Sequence, residues 1–237
     1  MGLCNVVIEL FCEAVFPVRC VHCKRHGEWW CTECRASAEV VRRDACSSCA
    51  SLKRDHECSG TSFDLDGLVV AGFYHDPRLR AVIHALKYKG ATRILPSLDP
   101  YCRAWRDTRL DPWPWAGLSD LAVQPVPGAP ARIRARGFDQ AGLIADVFRD
   151  ACVPWARPLD VLIRHDSPQA QVALKPGPLR AANVSGAFSI RPNAIVPPSI
   201  LLVDDVFTTG STMHEAARVL RAAGAHEVFG FALAVGK

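Results

Sequence analysis

The chain has 237 residues, of which 49% are hydrophobic and 22% charged, and its formal net charge is +4. This composition excludes a disordered chain and leaves enough apolar sequence for a sizeable core. No apolar run approaches the about 20 residues that span a bilayer. Glu9 and Glu13 interrupt the apolar face of the N-terminus, which argues against a signal peptide. We therefore expect a cytoplasmic protein without membrane insertion.

The predicted elements fall into two parts. Residues 3–15 have helical spacing, Pro17 ends that helix, and a cysteine-rich stretch follows to about residue 60. Strands and helices then alternate, which is typical of an α/β fold with a parallel sheet. The predicted strands are 68–74, 121–127, 161–164, 187–190, 200–203 and 227–235, and the predicted helices are 77–86, 140–152 and 211–223. We predict an N-terminal metal-binding module over 1–62 and an α/β domain over 63–237.

The cysteine-rich stretch has the spacing of a zinc module. Seven of the eleven cysteines lie between residues 20 and 58, and three pairs have CxxC spacing. In such a pair, one tight turn presents two sulfurs to a tetrahedral metal ion. Without a signal peptide a disulfide framework is disfavoured, so the spacing predicts structural zinc. The candidate ligands are Cys20, Cys23, Cys31, Cys34, Cys46, Cys49, Cys58 and His56.

The number of zinc ions is open at this point. Two tetrahedral sites need eight ligands, and His56 is the candidate eighth, although its spacing to Cys58 is tight for one site. The alternative is one full site and one vestigial site, and spacing does not determine which pairs share a metal. His22 is expected to face solvent. Because this stretch has few apolar residues, we expect metal binding to supply its folding energy.

The segment 200–212 has the features of a phosphate site. An apolar strand runs into two acids, Asp204 and Asp205, and then into a short polar loop that opens a helix. The loop residues are Thr208, Thr209, Gly210, Ser211 and Thr212. Small residues let backbone N–H groups approach a phosphate, and the helix points its positive end at the anion. The acids would repel that phosphate, so ribose hydroxyls are their expected partners, directly or through Mg²⁺.

The same segment resembles the motif by which type I phosphoribosyltransferases bind 5-phosphoribosyl 1-pyrophosphate (PRPP). Segments 86–90, 126–140 and 180–188, with the cysteine-rich stretch before them, resemble the ComF competence proteins and the related GntX-like proteins over nearly the whole chain. Two positions depart from that pattern: Asp139 replaces the usual Asn, and Thr61 stands where a partner of Cys58 would fall. The resemblance implies a type I phosphoribosyltransferase fold with an N-terminal double zinc ribbon.

The resemblance also implies roles for individual residues. Asp204 and Asp205 would hold the ribose hydroxyls, and residues 208–212 would wrap the 5-phosphate. Lys87 and Gly137 would join the PRPP-binding group. Arg136 would place a positive charge beside the pyrophosphate, and Mg²⁺ would neutralise the pyrophosphate further. Arg136 would also act with the two acids in catalysis. The additional candidates around this region are Arg132 and Arg134 for charge, and segment 167–182 for a mobile hood over PRPP. A solvated basic loop, with Asp139 capping a helix, is the alternative.

Three functions remain open. The resemblance implies a role in DNA uptake or in handling internalised single-stranded DNA, beside an ATP-driven DNA translocase. The chain would be an enzyme that phosphoribosylates an unknown acceptor, a nucleic-acid-binding factor that only senses PRPP, or a nucleobase salvage enzyme. The zinc module favours a macromolecular partner. The basic stretch 78–109 is the candidate surface for single strands, and Trp113 and Trp115 are candidates for base stacking, with packing on the module as their alternative.

Overall fold

The computed structural model of the chain describes residues 17–58, 64–88, 92–166 and 186–236. The predicted helix over 3–15 and the predicted hood over 167–182 lie outside these ranges. Its elements are α1 Thr32–Ala36, β1 Gly67–Phe73, α2 Pro77–Tyr88, a 3-10 helix Thr92–Ile94, α3 Leu95–Asp107, β2 Ala122–Pro125, α4 Pro130–Arg136, α5 Gln140–Cys152, β3 Arg157–Pro158, β4 Leu162–Arg164, β5 Phe188–Ile190, β6 Ser199–Phe207, α6 Ser211–Ala222 and β7 Glu227–Val235. No helix within these ranges has the length and apolarity needed to cross a membrane.

A parallel sheet of five strands is the centre of the fold, in the order β1-β7-β6-β2-β3. Strands β6 and β7 run side by side, with Ser199 opposite Glu227 and Phe207 opposite Val235. Both are mostly apolar, as expected for strands that are covered on both faces. This architecture confirms the predicted α/β fold. A separate antiparallel pair, β4 and β5, stands apart from the main sheet.

Side chains alternate along the strands between two apolar layers. The first layer includes Leu201 and Val203 of β6 and packs against α2, α3 and α5. The second includes Ile200 and Leu202 and packs against α6, β4 and β5. Period-two alternation of this kind places successive residues of one strand on opposite faces of the sheet. Each face therefore has its own core.

Helices α3 and α4 were not predicted. Helix α3 buries Leu98, Tyr101 and Trp105, but Pro100 lies inside it and disguises its apolar spacing. Helix α4 has no buried residue, so no apolar period marks it in the sequence. Strand β6 is also longer than predicted. Because β6 continues to Phe207, both acids of the polar segment belong to the end of the strand.

The cysteine-rich segment packs on the α/β domain. Trp30 is fully buried and its ring centroid lies 4.9 Å from that of Tyr101. Two isolated antiparallel bridges, Val40 with Gly72 and Ala45 with Leu68, place residues 40–45 alongside β1. The module therefore takes part in the core of the chain, whereas the predicted boundary at residue 62 stays a prediction.

The two tryptophans considered for base stacking are packed inside. Trp115 is buried, and Trp113 stacks on it with ring centroids 4.9 Å apart. The guanidinium of Arg109 lies 4.3 Å from the centroid of Trp113. Of the two alternatives, packing is the one observed, because segment 113–115 packs against Trp105 and Phe229 of the first apolar layer. Neither ring is placed to stack on a base.

Candidate functional site

A cleft of 720 Å³ lies at the carboxyl ends of β2 and β6. The two strands are neighbours in register, with Pro125 opposite Val203, so the segments that follow them meet at one edge of the sheet. Open α/β sheets bind their ligands at this edge. The charged and polar side chains that line the cleft are Lys87, Arg132, Arg136, Asp139, Gln140, Arg164, Asp204, Asp205 and Thr212.

The two acids of β6 face the cleft beside a lysine from another element. Lys87, near the end of α2, places its Nζ 2.6 Å from Oδ2 of Asp205. Burial and the adjacent Asp205 carboxylate raise the pKa of Asp204 well above its usual range, although the Asp205 backbone N–H donates to Asp204 Oδ1 at 2.8 Å. Hydroxyl or cationic partners stabilise carboxylates that lie so close together.

Arg164 is a cleft residue that the sequence analysis missed. It ends β4, donates to the Pro127 carbonyl at 3.3 Å, and lies 5.3 Å from the ring centroid of Phe188. Burial lowers its pKa, and attraction to Asp204 opposes that shift. A lone arginine at the end of a three-residue strand belongs to no motif. Only the packing of the β4–β5 pair brings it to the cleft.

The polar loop after β6 is built around one glycine. Gly210 has a φ of +76°, and a Cβ at this position would lie 2.3 Å from the Phe207 ring. A side chain there would be both strained and obstructed. Gly210 is also the N-cap of α6 and has no side chain with which to cap it, although the Ser211 N–H donates to Thr209 Oγ1 at 3.5 Å. N–H groups in the first turn of a helix lack intrahelical partners, and an anion at this point would satisfy them.

The five loop residues do not share one environment. Thr208 and Thr209 are exposed, Gly210 is buried, and Thr212 is the member of the loop that lines the cleft. The hydroxyls of Thr209 and Ser211 hydrogen-bond to each other at 2.9 Å. The loop thus borders the cleft at the end where α6 begins, beyond the two acids.

The opposite side of the cleft is formed by α4 and α5. Gly137 ends α4 with a φ of +83° and is not among the lining residues, whereas Arg136 lines the cleft and donates to Gln140 Oε1 at 3.4 Å. Gln140 is only 5% exposed, and its Nε2 has no partner in the described part of the chain. A buried amide donor without a partner is costly, so a ligand acceptor at this point would stabilise it.

The other residues of this region have different roles. Asp139 is the N-cap of α5: its carboxylate accepts from the backbone N–H of Ala141 at 3.2 Å and from that of Gly128 at 3.3 Å. The capping alternative for Asp139 is therefore confirmed. Arg132 lines the cleft, whereas Arg134 forms an exposed pair with Asp166 at 3.2 Å. The basic residues of α4 thus divide between the cleft and solvent.

The candidate metal ligands form two separate groups. They are the first cluster, Cys20, Cys23, Cys31 and Cys34, and the second cluster, Cys46, Cys49, His56 and Cys58. Within each cluster the candidate ligand atoms lie within 4.8 Å of one another. Four thiols, or three thiols and an imidazole, are the donor sets of structural zinc, so both clusters could bind zinc.

Hydrogen bonds orient individual ligands of both clusters, although burial raises the pKa of Cys31, Cys34 and Cys49. Although burial raises the pKa of Cys20, hydrogen bonds from the backbone of Cys31, Cys23 and His22 lower it to about 6, which favours a thiolate. In the second cluster, His56 Nδ1 lies 2.8 Å from the Lys53 carbonyl, and its Nε2 lies 3.1 Å from Cys49 Sγ. A backbone carbonyl on one ring nitrogen orients the other toward a metal.

One expectation about the module is corrected. His22 was expected to face solvent, but it is half-buried and its Nδ1 lies 3.4 Å from Cys34 Sγ. The reason is that the first CxxC turn folds against the second, which brings its inner residue next to the opposite pair. The imidazole is therefore a neighbour of the first cluster, whose four ligands are all thiols.

Two known proteins are similar to this chain. Competence protein F of Haemophilus influenzae is 25% identical to it, across 84% of this chain and 93% of that protein. Competence protein ComFC of Bacillus subtilis is 24% identical, across 92% of this chain and 90% of that protein. No family model matches the chain.

Proposed function

Because its similarity to two competence proteins over most of its length supports assignment to the ComF family, we propose that this chain has a competence-related role in which it binds PRPP. The observation that carries the proposal is the convergence of three features on one sheet edge. These are the paired acids Asp204 and Asp205, the start of α6 at a glycine N-cap, Gly210, and the Gln140 amide donor that has no partner among the described residues.

Each part of PRPP has a matching group in this arrangement. The 5-phosphate would lie at the loop 208–212, where α6 begins at a glycine N-cap and points its first N–H groups outward. The ribose hydroxyls would donate to the carboxylates at the end of β6. The pyrophosphate would lie toward Arg136 and Gln140, on the opposite side of the cleft, within reach of Arg164. The ligand would thereby satisfy the groups that the chain leaves without partners.

Lys87 would change partners when the ligand binds. Its ion pair with Asp205 is short and mostly buried, since the two side chains are 23% and 16% exposed. A ribose hydroxyl at Asp205 would release the ammonium toward the pyrophosphate. Mg²⁺ bound together with PRPP would supply the remaining charge neutralisation. The ion pair thus supports a site that holds its charges balanced before a polyanion arrives.

We propose further that the bound sugar reacts. The bond between C1 of the ribose and the pyrophosphate oxygen would break, with the electron pair leaving on pyrophosphate. A nucleophilic acceptor would form the new bond to C1 and release a proton to solvent. The chain would contribute positioning: the loop would anchor the distant phosphate, and Asp204 and Asp205 would fix the sugar ring. Arg136 would stabilise the charge that develops on the leaving group.

The basic stretch 78–109, the candidate surface for single strands, gives little support to binding of DNA. Within the basic stretch 78–109, four arginines pair with acids of this chain. These pairs are Arg78–Asp76, Arg103–Asp99, Arg106–Asp107 and Arg109–Asp44. Their charge is therefore partly neutralised before any phosphate arrives. Single-stranded DNA and a DNA translocase remain proposed partners, on the strength of the resemblance to the ComF proteins and the zinc module.

Calorimetry on a double variant tests the binding proposal. Asp204→Asn with Asp205→Asn should weaken binding of PRPP much more than binding of inorganic phosphate, because the acids meet the ribose. Thr209→Val should weaken both by about 1.5–3 kcal/mol, the value of one hydrogen bond to a charged group. Asp120→Asn, an exposed carboxylate paired with Arg157, is the matched control and should change neither. Equal losses for both ligands in the double variant would contradict the assigned roles.

A pyrophosphate-release assay separates an enzyme from a sensor. The protein with PRPP and Mg²⁺ should release pyrophosphate when a competent acceptor is present. The assay is therefore run without an acceptor, with single-stranded DNA, and with free nucleobases. Release that depends on a nucleobase would favour salvage. PRPP binding by calorimetry without release under any of these conditions would favour the sensing role.

A further inference from the structure

A buried histidine lies next to the phosphate loop. His214, four residues after Gly210 in α6, is 3% exposed, and neither ring nitrogen forms a hydrogen bond within the described residues. Asp64 Oδ2 lies 3.5 Å from its Nδ1, and the backbone of Ser47 faces the ring. Burial lowers the pKa of His214, while Asp64 and Ser47 oppose that shift. The imidazole thus lies at a buried polar contact between α6, Asp64 and the turn at Ser47.

The ring of His214 supports the turn that opens α6. A Cβ at Gly210 would lie 3.0 Å from His214 Cδ2, so the ring closes one side of the space beside this glycine. The Phe207 ring meets it edge-on, with centroids 6.3 Å apart. The backbone N–H of His214 also donates to the Gly210 carbonyl at 2.9 Å. Displacement of the imidazole would open the space beside the left-handed Gly210 and leave the backbone bond as the contact between the two residues.

The second cluster lies on the other side of this buried contact around His214. Ser47 lies between the ligands Cys46 and Cys49, in the turn that presents both sulfurs. Ala45 and Ala50, on either side of that turn, are buried in the same apolar layer as Phe207 and Met213. The buried residues of the first cluster belong to the other layer. Only the second cluster therefore shares a packed layer with the start of α6.

We propose that His214 is a positioning residue through which the second cluster, when it holds its metal, keeps the phosphate loop in its anion-binding conformation. A metal would fix the turn around Ser47, and the backbone of Ser47 is a polar neighbour of the His214 ring beside Gly210. The two sites would then be coupled, and coupling is reciprocal: an anion at the loop would tighten metal binding at the second cluster. The identity of the anion in this proposal rests on the proposed function. The effect of the second cluster on the conformation of the loop does not depend on it.

Hydrogen exchange tests the coupling without any ligand. Cys49→Ser and His214→Leu should each speed exchange of the amides of residues 208–213 by about tenfold or more, because local opening becomes easier. His214→Gln, which keeps a polar side chain of similar reach, should restore part of the protection. The matched controls are Cys23→Ser in the first cluster and Leu220→Ala near the end of α6. Both should leave exchange of the loop unchanged.

Fast hydrogen exchange of the β7 amides identifies variants that unfold globally. Exchange rates of the loop amides are compared only among variants in which the β7 amides stay protected. Unchanged loop exchange in Cys49→Ser and in both His214 variants would overturn the proposal. Equal acceleration in Cys23→Ser would also overturn it, since both clusters would then act through general stability. Calorimetry with ribose 5-phosphate is the second arm, with about tenfold weaker binding expected for Cys49→Ser but not for Cys23→Ser. If the parent does not bind ribose 5-phosphate, the proposed function fails, while the exchange result still decides the coupling.

Discussion

The two cysteine clusters have similar ligands but different surroundings. In the first cluster Cys20, Cys31 and Cys34 are buried, and the neighbouring Trp30 packs against Tyr101 in the layer of α2 and α3. In the second, none of the four ligands is buried. Its flanking alanines nevertheless lie in the layer of α6. CxxC spacing therefore specifies how a metal would be held, whereas packing decides which part of the fold that metal would support.

The difference suggests a division of labour within one module. The first cluster joins the module to the helices that cover one face of the sheet. The second shares an apolar layer with the start of α6, next to the loop 208–212. Four predictions test this division, from the largest expected effect to the smallest.

Metal removal should have the largest effect, and it should be unequal. Structural zinc supplies about 10–16 kcal/mol to small zinc modules. Cys34→Ser should lose one zinc and lower the free energy of unfolding by several times more than Cys58→Ser, because Cys34 is buried and Cys58 is exposed. Metal analysis with urea unfolding measures both quantities. Equal destabilisation by the two variants would remove the distinction between the clusters.

Trp30→Ala should cost about 3–5 kcal/mol of unfolding free energy, the usual loss for a buried tryptophan. The ring is fully buried, and its Nε1 has no hydrogen-bond partner within the described residues. Trp30→Phe is therefore the matched control and should cost much less. Leu52→Ala, partly buried near the second cluster, should cost below about 2 kcal/mol. Denaturant unfolding that ranks Leu52→Ala above Trp30→Ala would contradict the comparison.

Asp76→Asn should cost about 1–3 kcal/mol at neutral pH, as expected for lost hydrogen bonds to a charged group. The buried carboxylate accepts from the backbone N–H of Glu39 at 2.7 Å, which ties the module to α2, and from that of Arg78 at 2.7 Å. Although burial raises its pKa, these bonds and that from Leu79 lower it below the usual value.

The sign of the pH dependence follows from that lowered pKa. The carboxylate contributes stability above its unfolded pKa of about 4, and this contribution is lost as pH falls through the lower folded pKa. The difference in free energy of unfolding between the parent and Asp76→Asn should therefore become smaller below a pH of about 4. Urea unfolding across the acid range measures it. A gap that is independent of pH would show that Asp76 acts through packing alone.

Arg54→Ala should have the smallest effect, below about 1 kcal/mol and weaker at high salt. Arg54 is 70% exposed and pairs at 2.8 Å with Asp111, which also accepts from the Asp44 backbone at 3.0 Å. Asp111→Ala should cost more, since it removes that backbone bond as well. Lys53→Ala is the neighbouring control. If Arg54→Ala proved more harmful than Asp111→Ala, the pair would matter for something other than docking of the second cluster.

Local sequence rules were sufficient where the chemistry lies within a few residues. The CxxC pairs are a pattern of this kind, as is the run from the acids of β6 to Gly210, because ligand and loop geometry there depend on adjacent residues. The elements with clear apolar periods were predicted for the same reason, and α5 matches its predicted bounds, Gln140–Cys152. Helix α4 was missed because it buries nothing, and α3 because Pro100 interrupts its pattern.

By itself, the sequence determined the α/β order of the chain, the metal-ligand inventory and the polar loop that follows β6. Only the tertiary structure decided that His56 joins Cys58 in one cluster, that Trp113 and Trp115 face inward, and that Arg164 reaches the cleft. It also decided that His214 lies between the second cluster and Gly210. The physical reason is range: spacing fixes contacts within a turn, whereas contacts between distant segments depend on which apolar faces pack together when the whole sheet is assembled.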